Sequence, residues 1–210
     1  MDGTPGAGRT PLRPIVAAVM AASLATTGCQ GMAMTTQDVP SQGPARPDNT
    51  VADWPLKFVQ HNFGAFSHST YGCIVDYNGF RHLSEPDEVL QPAVEDVHPD
   101  SRGNMPAGYI GVMNFPAPAR VRWRSRDGSA HEAEVDIAAI FRDQLILHEV
   151  PREDVVEGVS ILNPDILLEV DDRTINVYMR AFIPTKSLRT PGNPHSDFRR
   201  DLVLAWNQTY

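Results

Sequence analysis

The stretch Ala119–Asp136, "ARVRWRSRDGSAHEAEVD", has the pattern of a β-hairpin. Asp127 and Gly128 form a turn pair, and a three-residue loop that ends at Gly128 would use the left-handed conformation that glycine readily adopts. Apolar and charged residues alternate on both sides of this turn, which is the period of a half-buried strand. The stretch therefore predicts two antiparallel strands with one face in a core.

The charges of this hairpin favour one register. With a three-residue loop, Arg122 lies opposite Glu132 and Arg120 opposite Glu134, while Val121 is on the inner face. A two-residue loop would place Val121 opposite Glu134 and mix charge with the core face, which a half-buried sheet resists. Because cross-strand ion pairs contribute about 0.2–1 kcal/mol each, we expect these two arginines to be neutralised within the sheet.

Two further arginines on the same strand, Arg124 and Arg126, have no acidic residue opposite them in this register. A cation that lacks a cross-strand partner remains available to another molecule. We therefore predict Arg124 and Arg126 as partner-binding residues.

Strand-like runs continue on both sides of the hairpin. They are "YGCIVDYNG" (71–79), "GYIGVMNF" (108–115), "LILHEV" (145–150) and "PDILLEVDDRTINVYMRAFIP" (164–184). Short helical turns are favoured at "EPDEVLQPA" (85–93) and "REDVVEG" (152–158). We predict a mainly β (β-rich α+β) fold, namely a single antiparallel-sheet domain, sandwich-like, with a few short helices, over residues 54–210.

Length and composition are compatible with this domain. The chain has 210 residues, of which 41% are apolar and 21% charged, so a packed core is expected. The formal net charge of -8 argues against a nucleic-acid-binding protein and suits a partner that carries positive charge.

Residues 1–28 have the features of an export signal. Arg9 and Arg13 precede the apolar run "IVAAVMAASLA" (15–25), which has the length of a signal-peptide core and is too short to span a bilayer. Removal of this segment takes away two arginines and one aspartate and changes the net charge from -8 to -9. The acidity therefore belongs to the exported part.

The segment "TTGCQ" around Cys29 resembles the lipobox of bacterial lipoproteins, where signal peptidase II cuts before a cysteine that is then lipidated. One position departs from the pattern, because Thr26 stands where leucine is usual. The resemblance implies a lipid anchor at Cys29 and a periplasmic protein. It further implies sorting to the outer membrane, since Gln30 follows the cysteine.

Residues 29–53 are rich in Gln, Gly, Pro, Thr and Ser, which is typical of a flexible tether. Cys73 has no intramolecular partner if Cys29 carries lipid. Its strand-like surroundings predict a small buried residue rather than a nucleophile.

Two segments are predicted as partner-binding surfaces. Residues 81–107 contain four prolines and few large apolar side chains, so they form either a solvated loop or a functional insertion. The segment "KSLRTPGNPHSD" (186–197) has two prolines and a Pro-Gly pair, which favour a rigid protrusion. The candidate residues are Glu85, Asp87, Glu88, Glu95, Asp96 and Asp100 in the first segment and Lys186, Arg189 and His195 in the second.

The seven histidines fit no catalytic or metal-binding spacing. A zinc protease helix needs a second histidine four residues after the first, but Val135 follows His131 and Arg152 follows His148 at this distance. The sequence also has no Gly-x-Ser-x-Gly elbow, Gly-rich phosphate loop or Cys-x-x-Cys pair. A scattered Ser/His/Asp triad remains open, because triads are defined by geometry. We predict no catalytic residues, metal site or cofactor.

Three segments carry a family resemblance. They are "HNFGAFSHSTYGCIVDYNGF", "GYIGVMNFPAPARVRWRSRDG" and "ILNPDILLEVDDRTINVYMRAFIPT". In this order, on a lipobox-bearing chain, they resemble the small periplasmic lipoproteins that act as immunity proteins for type VI secretion phospholipase effectors. The shared features are a Tyr/Asn-Gly strand, a Pro-led strand with Val-x-Trp (Val121 to Trp123) and β-rich ends, over residues 60–185.

This resemblance implies a protein without enzymatic activity that binds a cognate secreted phospholipase and blocks its active site or its opening. It assigns no catalytic residues and no motif-defined contact residues. The alternative is an envelope-assembly or structural lipoprotein that binds another envelope component, and an enzyme is the third possibility.

The lipobox generates a first prediction. Cys29→Ser should convert a membrane-bound protein into a soluble periplasmic one, because the substitution removes the thiol that carries the lipid. Membrane fractionation of the producing cells measures this change. A wild-type protein that already fractionates as soluble would contradict the anchor.

Overall fold

The structure, a computed structural model, describes residues 49–97 and 102–210. The predicted signal peptide, Cys29, the tether up to residue 48 and the candidate Asp100 lie outside the described residues. Of the part described, 44% is strand and 10% is helix, arranged as two main sheets with short helices. The predicted mainly β, sandwich-like fold is confirmed.

Eleven strands lie within the described residues. They are β1 (Gln60–His68), β2 (Thr70–Tyr77), β3 (Phe80–Ser84), β4 (Tyr109–Met113), β5 (Ala119–Ser125), β6 (Ala130–Val135), β7 (Asp165–Asp171), β8 (Thr174–Arg180), β9 (Ile183–Pro184), β10 (Phe198–Arg199) and β11 (Leu202–Thr209). The helices in the same ranges are α1 (Ile137–Ile140) and the 3-10 helices Val51–Asp53, Val94–Asp96, Arg102–Asn104 and Arg152–Asp154.

The strands form a five-stranded sheet of order β11-β8-β7-β1-β4, a four-stranded sheet of order β3-β2-β5-β6, and a β9–β10 ladder. Neighbouring strands are antiparallel except for β1 and β7, which pair in parallel. The antiparallel prediction is wrong for this one pair. All four strands of the second sheet lie between β1 and β7 in sequence, so no tight turn forces the two strands to run in opposite directions.

Both sheets contribute their inner faces to a single hydrophobic core. The five-stranded sheet supplies alternate residues of β1, β7 and β8, and the four-stranded sheet supplies alternate residues of β2, β5 and β6. Among the members are Phe63, Ile166, Val177, Val75, Val121 and Trp123. Ile175, Val177 and Met179, at alternate positions of β8, and Ala181 just after it are all buried here.

The hairpin of β5 and β6 has the predicted register. Arg122 is opposite Glu132 and Arg120 is opposite Glu134. Gly128 has a φ of 86°, the left-handed conformation that the three-residue loop requires. The Arg120 Nε and Glu134 Oε1 atoms lie 3.6 Å apart, and because both side chains are largely exposed their attraction is small.

Several local predictions differ in detail. Residues 145–150 are not a strand, and only Leu145 forms an isolated bridge, to Lys57. This run covers the core instead, with Ile146 and Val150 buried. The helical turn at residues 152–158 is present as the 3-10 helix Arg152–Asp154, whereas the one at 85–93 is only a turn at Asp87 and Glu88.

The unpredicted helix α1 begins where Asp136 caps it, with the Ala139 N–H donating to Oδ1 at 3.0 Å. The folded domain also begins before the predicted residue 54. Asn49 is buried, its Nδ2 donates to the Ile161 carbonyl at 3.3 Å, and its Oδ1 accepts from the Lys57 N–H at 2.9 Å.

The end of the predicted insertion, residues 102–107, crosses the outer face of the five-stranded sheet. We call this segment the strap. It passes so close to β1 that a Cβ on Gly64 would lie 2.6 Å from the Pro106 carbonyl oxygen. The position therefore requires glycine. Because the strap covers this face, β7 is buried on both sides, and this part of the insertion is structural.

Buried charges attach the strap to the sheet. The Glu169 side chain has 0% exposure and accepts from Arg102 Nε at 2.7 Å. Asn176 Nδ2 and the Tyr178 hydroxyl both donate to its other oxygen at 3.0 Å. Burial, together with the Glu169 charge, raises the pKa of Tyr178 to about 12. Arg180 donates to the carbonyls of Gly103 at 2.9 Å and Met105 at 2.7 Å.

This attachment generates a second prediction. Arg102→Met should lower the free energy of unfolding by about 3 kcal/mol, because it leaves the buried Glu169 carboxylate without its closest cation. Arg120→Met is the matched control, since its exposed ion pair with Glu134 contributes less than about 1 kcal/mol. Urea unfolding measures both variants. Equal losses in the two would contradict the role of the strap.

Candidate functional site

The segment predicted as a rigid protrusion projects from the β9–β10 ladder. Every residue from 186 to 195 is exposed. At its base Phe198 pairs with Pro184, and the Phe182 and Phe198 rings stack at 4.7 Å. We call residues 186–197 the protrusion, and its ladder fixes both ends where the segment leaves the domain.

A buried serine gives the protrusion its internal structure. Ser196 Oγ accepts from the Thr190 N–H at 2.9 Å and donates to the Asn193 carbonyl at 2.8 Å. The Arg189 N–H donates to the Ser196 carbonyl at 2.7 Å. Because these bonds join both arms across the loop, the protrusion has a defined shape before any partner binds.

The three predicted residues of the protrusion differ in their contacts. Arg189 and His195 are exposed, and their backbone N–H groups bond within the loop. Lys186 is also exposed, but its Nζ lies 3.1 Å from Glu157 Oε1. Arg189 and His195 are therefore better placed than Lys186 to contact a partner.

Residues 85–91 of the insertion lie along the edge of the four-stranded sheet, and Glu95 and Asp96 follow on the 3-10 helix Val94–Asp96. The segment 85–91 bonds to β2, with the Glu85 N–H donating to Cys73 at 2.9 Å and the Gln91 N–H to Thr70 at 2.9 Å. Glu85 is half-buried there. The exposed members are Asp87, Glu88, Glu95 and Asp96. We call these four residues the acidic edge.

The prediction that Arg124 and Arg126 are free for a partner is wrong, because both bind within the domain. Arg124 Nη2 donates to the Asp87 carbonyl, and its guanidinium lies 5.1 Å from the centre of the Tyr71 ring. Arg126 Nη2 donates to Ser69 Oγ at 2.8 Å. These acceptors are remote in sequence from the hairpin, so its cross-strand pattern could not reveal them.

One Ser-His-Asp cluster is present at the hairpin tip, but its arrangement is structural. Ser125 Oγ lies 2.9 Å from His131 Nε2 and donates to Asp127 Oδ1 at 2.6 Å. Asp127 therefore contacts the serine and not the imidazole, and hydrogen bonds from Ser125 and Ser129 lower the pKa of Asp127 to about 2. Ser125 is fully buried, so its hydroxyl cannot reach a substrate.

The other candidate chemical groups have structural surroundings. His61 is buried between Asn114 Oδ1 at 2.8 Å and the Tyr77 hydroxyl at 3.2 Å, and burial lowers the pKa of His61. Cys73 is buried as predicted, and burial raises the pKa of its thiol to about 12.

Within residues 49–97 and 102–210, no group of three or more His, Cys, Asp or Glu side chains is placed to hold a metal ion. A search of these ranges also finds no helix with the length and apolar character needed to cross a membrane.

The sequence did not predict a cleft of about 920 Å³ beside the base of the protrusion. Its walls include Ile110, Leu162 and Phe182, and its floor includes Asp165 and Arg180. Ile110 and Leu162 are 76% and 70% exposed, the highest values among the large apolar residues described. The sequence contained one signal for this cleft. Ile110 is a large aliphatic residue, but it stands next to a position of a short strand that faces the core, so its own side chain faces outward.

The floor of the cleft is a row of hydrogen-bonded polar groups across four strands, β8, β7, β1 and β4. Arg180 Nη2 donates to Asp165 Oδ2 at 2.7 Å. Asn62 Nδ2 donates to Asp165 Oδ1 at 3.0 Å, and the Gly111 N–H donates to Asn62 Oδ1 at 3.2 Å. These bonds hold the floor rigid. They also give its polar atoms hydrogen-bond partners within the domain.

Comparisons of this chain with models of protein families, with curated proteins and with solved structures find no match. The candidate surfaces therefore rest on the geometry of the chain itself.

Proposed function

We propose that this domain is an immunity protein that binds a phospholipase delivered by type VI secretion and inhibits it one-to-one without turnover. In this proposal the protein acts in the periplasm from a lipid anchor at Cys29. The observation that carries the proposal is the protrusion, in which ten consecutive exposed residues are held in one shape by Ser196.

The shape of the protrusion suits insertion into an active-site opening. Enzymes that act on a small substrate place their chemistry in a concave site, which a narrow projecting loop can fill. Binding orders little chain in this case, because Pro191, Pro194 and the Ser196 hydrogen bonds already restrict the free loop. Substrate is then excluded without any chemical step by the inhibitor.

Charge and anchoring support capture of the enzyme. The exported part has a net charge of -9, and the four residues of the acidic edge are exposed. Such a surface increases the rate at which a basic partner associates. A lipid anchor would in addition concentrate the inhibitor at the membrane, where a phospholipase finds its substrate.

The third prediction concerns inhibition by the protrusion. If a phospholipase is encoded beside this gene, one equivalent of the Cys29→Ser chain should abolish its hydrolysis of a fluorescent phospholipid. Arg189→Ala combined with His195→Ala should raise the inhibition constant about 30-fold, which corresponds to the loss of a binding hot spot of about 2 kcal/mol. Ser196→Ala should also weaken inhibition, because the loop must then be ordered on binding.

The matched control for this experiment is Arg142→Ala, which removes an exposed arginine outside the protrusion. It should inhibit like the parent chain. Full enzyme activity at saturating inhibitor would remove the proposed function and leave the envelope-assembly alternative. Undiminished inhibition by the protrusion variants would remove the proposed contact surface alone.

The fourth prediction concerns the acidic edge. Reversal of Glu88, Glu95 and Asp96 to lysine should slow association at least about tenfold at low salt and flatten its salt dependence, with little change in dissociation. Asp87 is retained, because its carboxylate fills the space beside Gly72, where a Cβ has no room. Stopped-flow binding at several ionic strengths measures the effect. A salt dependence equal to that of the parent would contradict steering by this edge.

A further inference from the structure

We propose that the cleft beside the protrusion binds a single-chain anionic amphiphile, an acyl chain that carries a carboxylate or phosphate head. The site is formed by the apolar walls at Ile110, Leu162 and Phe182 and by the cations Lys57 and Arg200. It does not depend on the proposed inhibition of a phospholipase, because none of these residues belongs to the protrusion.

The walls provide the apolar part of the site. Ile110 and Leu162 expose most of their side chains, and Phe182 is 48% exposed. Single exposed apolar residues are ordinary at a protein surface, but here three of them line one concavity. An acyl chain in the cleft would remove this surface from water, which is the main favourable contribution for such a ligand.

The cations provide the polar part. The lining contains Lys57, Arg180 and Arg200 but a single carboxylate, that of Asp165. Arg180 and Asp165 neutralise each other at 2.7 Å. Lys57 and Arg200 are exposed and form no ion pair within the described part of the chain. The cleft is therefore locally positive on an acidic protein, and an anionic head complements it.

The remaining polar groups favour an amphiphile over a peptide. An extended peptide needs hydrogen-bonding partners for its backbone groups. The amide nitrogens that line the cleft donate within the domain instead, Asn49 to Ile161, Asn62 to Asp165 and Asn163 to Gln60. An acyl chain has no hydrogen-bonding groups and therefore needs no such partners. The cleft volume of about 920 Å³ also falls within the range of small-molecule sites, roughly 300–1,000 Å³.

The test uses the full chain that carries Cys29→Ser, titrated calorimetrically with laurate, dodecyl phosphate and neutral dodecyl maltoside, each below its micelle concentration. Both anions should bind one-to-one and at least about tenfold more tightly than the maltoside. Lys57→Glu with Arg200→Glu should remove this preference. Ile110→Ser with Leu162→Ser should weaken all three ligands. The matched controls, Arg142→Glu and Leu204→Ser, change exposed residues that do not line the cleft and should bind like the parent.

A second arm separates the two sources of this chemistry. Binding of the monomeric anions identifies a soluble amphiphile such as a fatty acid. Binding only to vesicles of phosphatidylglycerol, and not to the monomeric anions or to phosphatidylcholine, identifies a two-chain membrane lipid and would contradict a single-chain ligand. Binding of the monomeric anions must depend on Lys57 and Arg200. The proposal would be overturned if neither laurate nor dodecyl phosphate binds, or if the maltoside binds as tightly as they do. It would also be overturned if the cleft variants bind like the parent, or if an acidic leucine-containing peptide binds in place of the amphiphiles.

Discussion

Glu169 is a carboxylate with no exposed surface in the middle of a five-stranded sheet, and its charge constrains much of the structure around it. A buried charge is tolerated only with a counter-ion and further hydrogen bonds. Arg102 supplies the counter-ion, and it stands on a segment that is far from β7 in sequence. The strap must therefore cross the outer face of the sheet, where it also covers Leu167, lies against Gly64 and gives Arg180 two carbonyl acceptors.

Local pattern was sufficient for most strands, and charge fixed the register of one hairpin. Arg122 and Glu132 are opposed because the two sides of a close turn are neighbours in sequence as well as in space. The same reasoning failed for Arg124 and Arg126, because their acceptors are the Asp87 carbonyl and Ser69 Oγ, which lie outside the hairpin. It also missed the parallel pairing of β1 with β7, because no turn relates these strands. A sequence pattern reveals contacts between residues that are close in sequence. The arginine contacts and the β1–β7 pairing join residues that are far apart in sequence, so the pattern did not show them.

The candidate surfaces also differ in how far the sequence alone could reveal them. Proline and glycine restrict the chain locally, so the segment 186–197 could be recognised as a protrusion from its composition. Ser196 was not recognised although its partners are close in sequence, because they are backbone groups of an irregular loop and follow no repeating pattern. The cleft was missed for a stronger reason. It is lined by residues from six separate stretches of chain, and none of these stretches carries a motif by itself.

The protrusion and the cleft share one support. Phe182 is a wall of the cleft and stacks on Phe198 at the base of the protrusion, while Arg200 follows the ladder directly and lines the cleft. Phe182 lies two residues after Arg180, which is bonded both to Asp165 in the sheet and to the strap. The strap thus does more than satisfy buried charge, since it fixes the end of β8 from which both surfaces extend. The backbone near two walls of the cleft is also held by hydrogen bonds, at Arg180 close to Phe182 and at Gly111 next to Ile110.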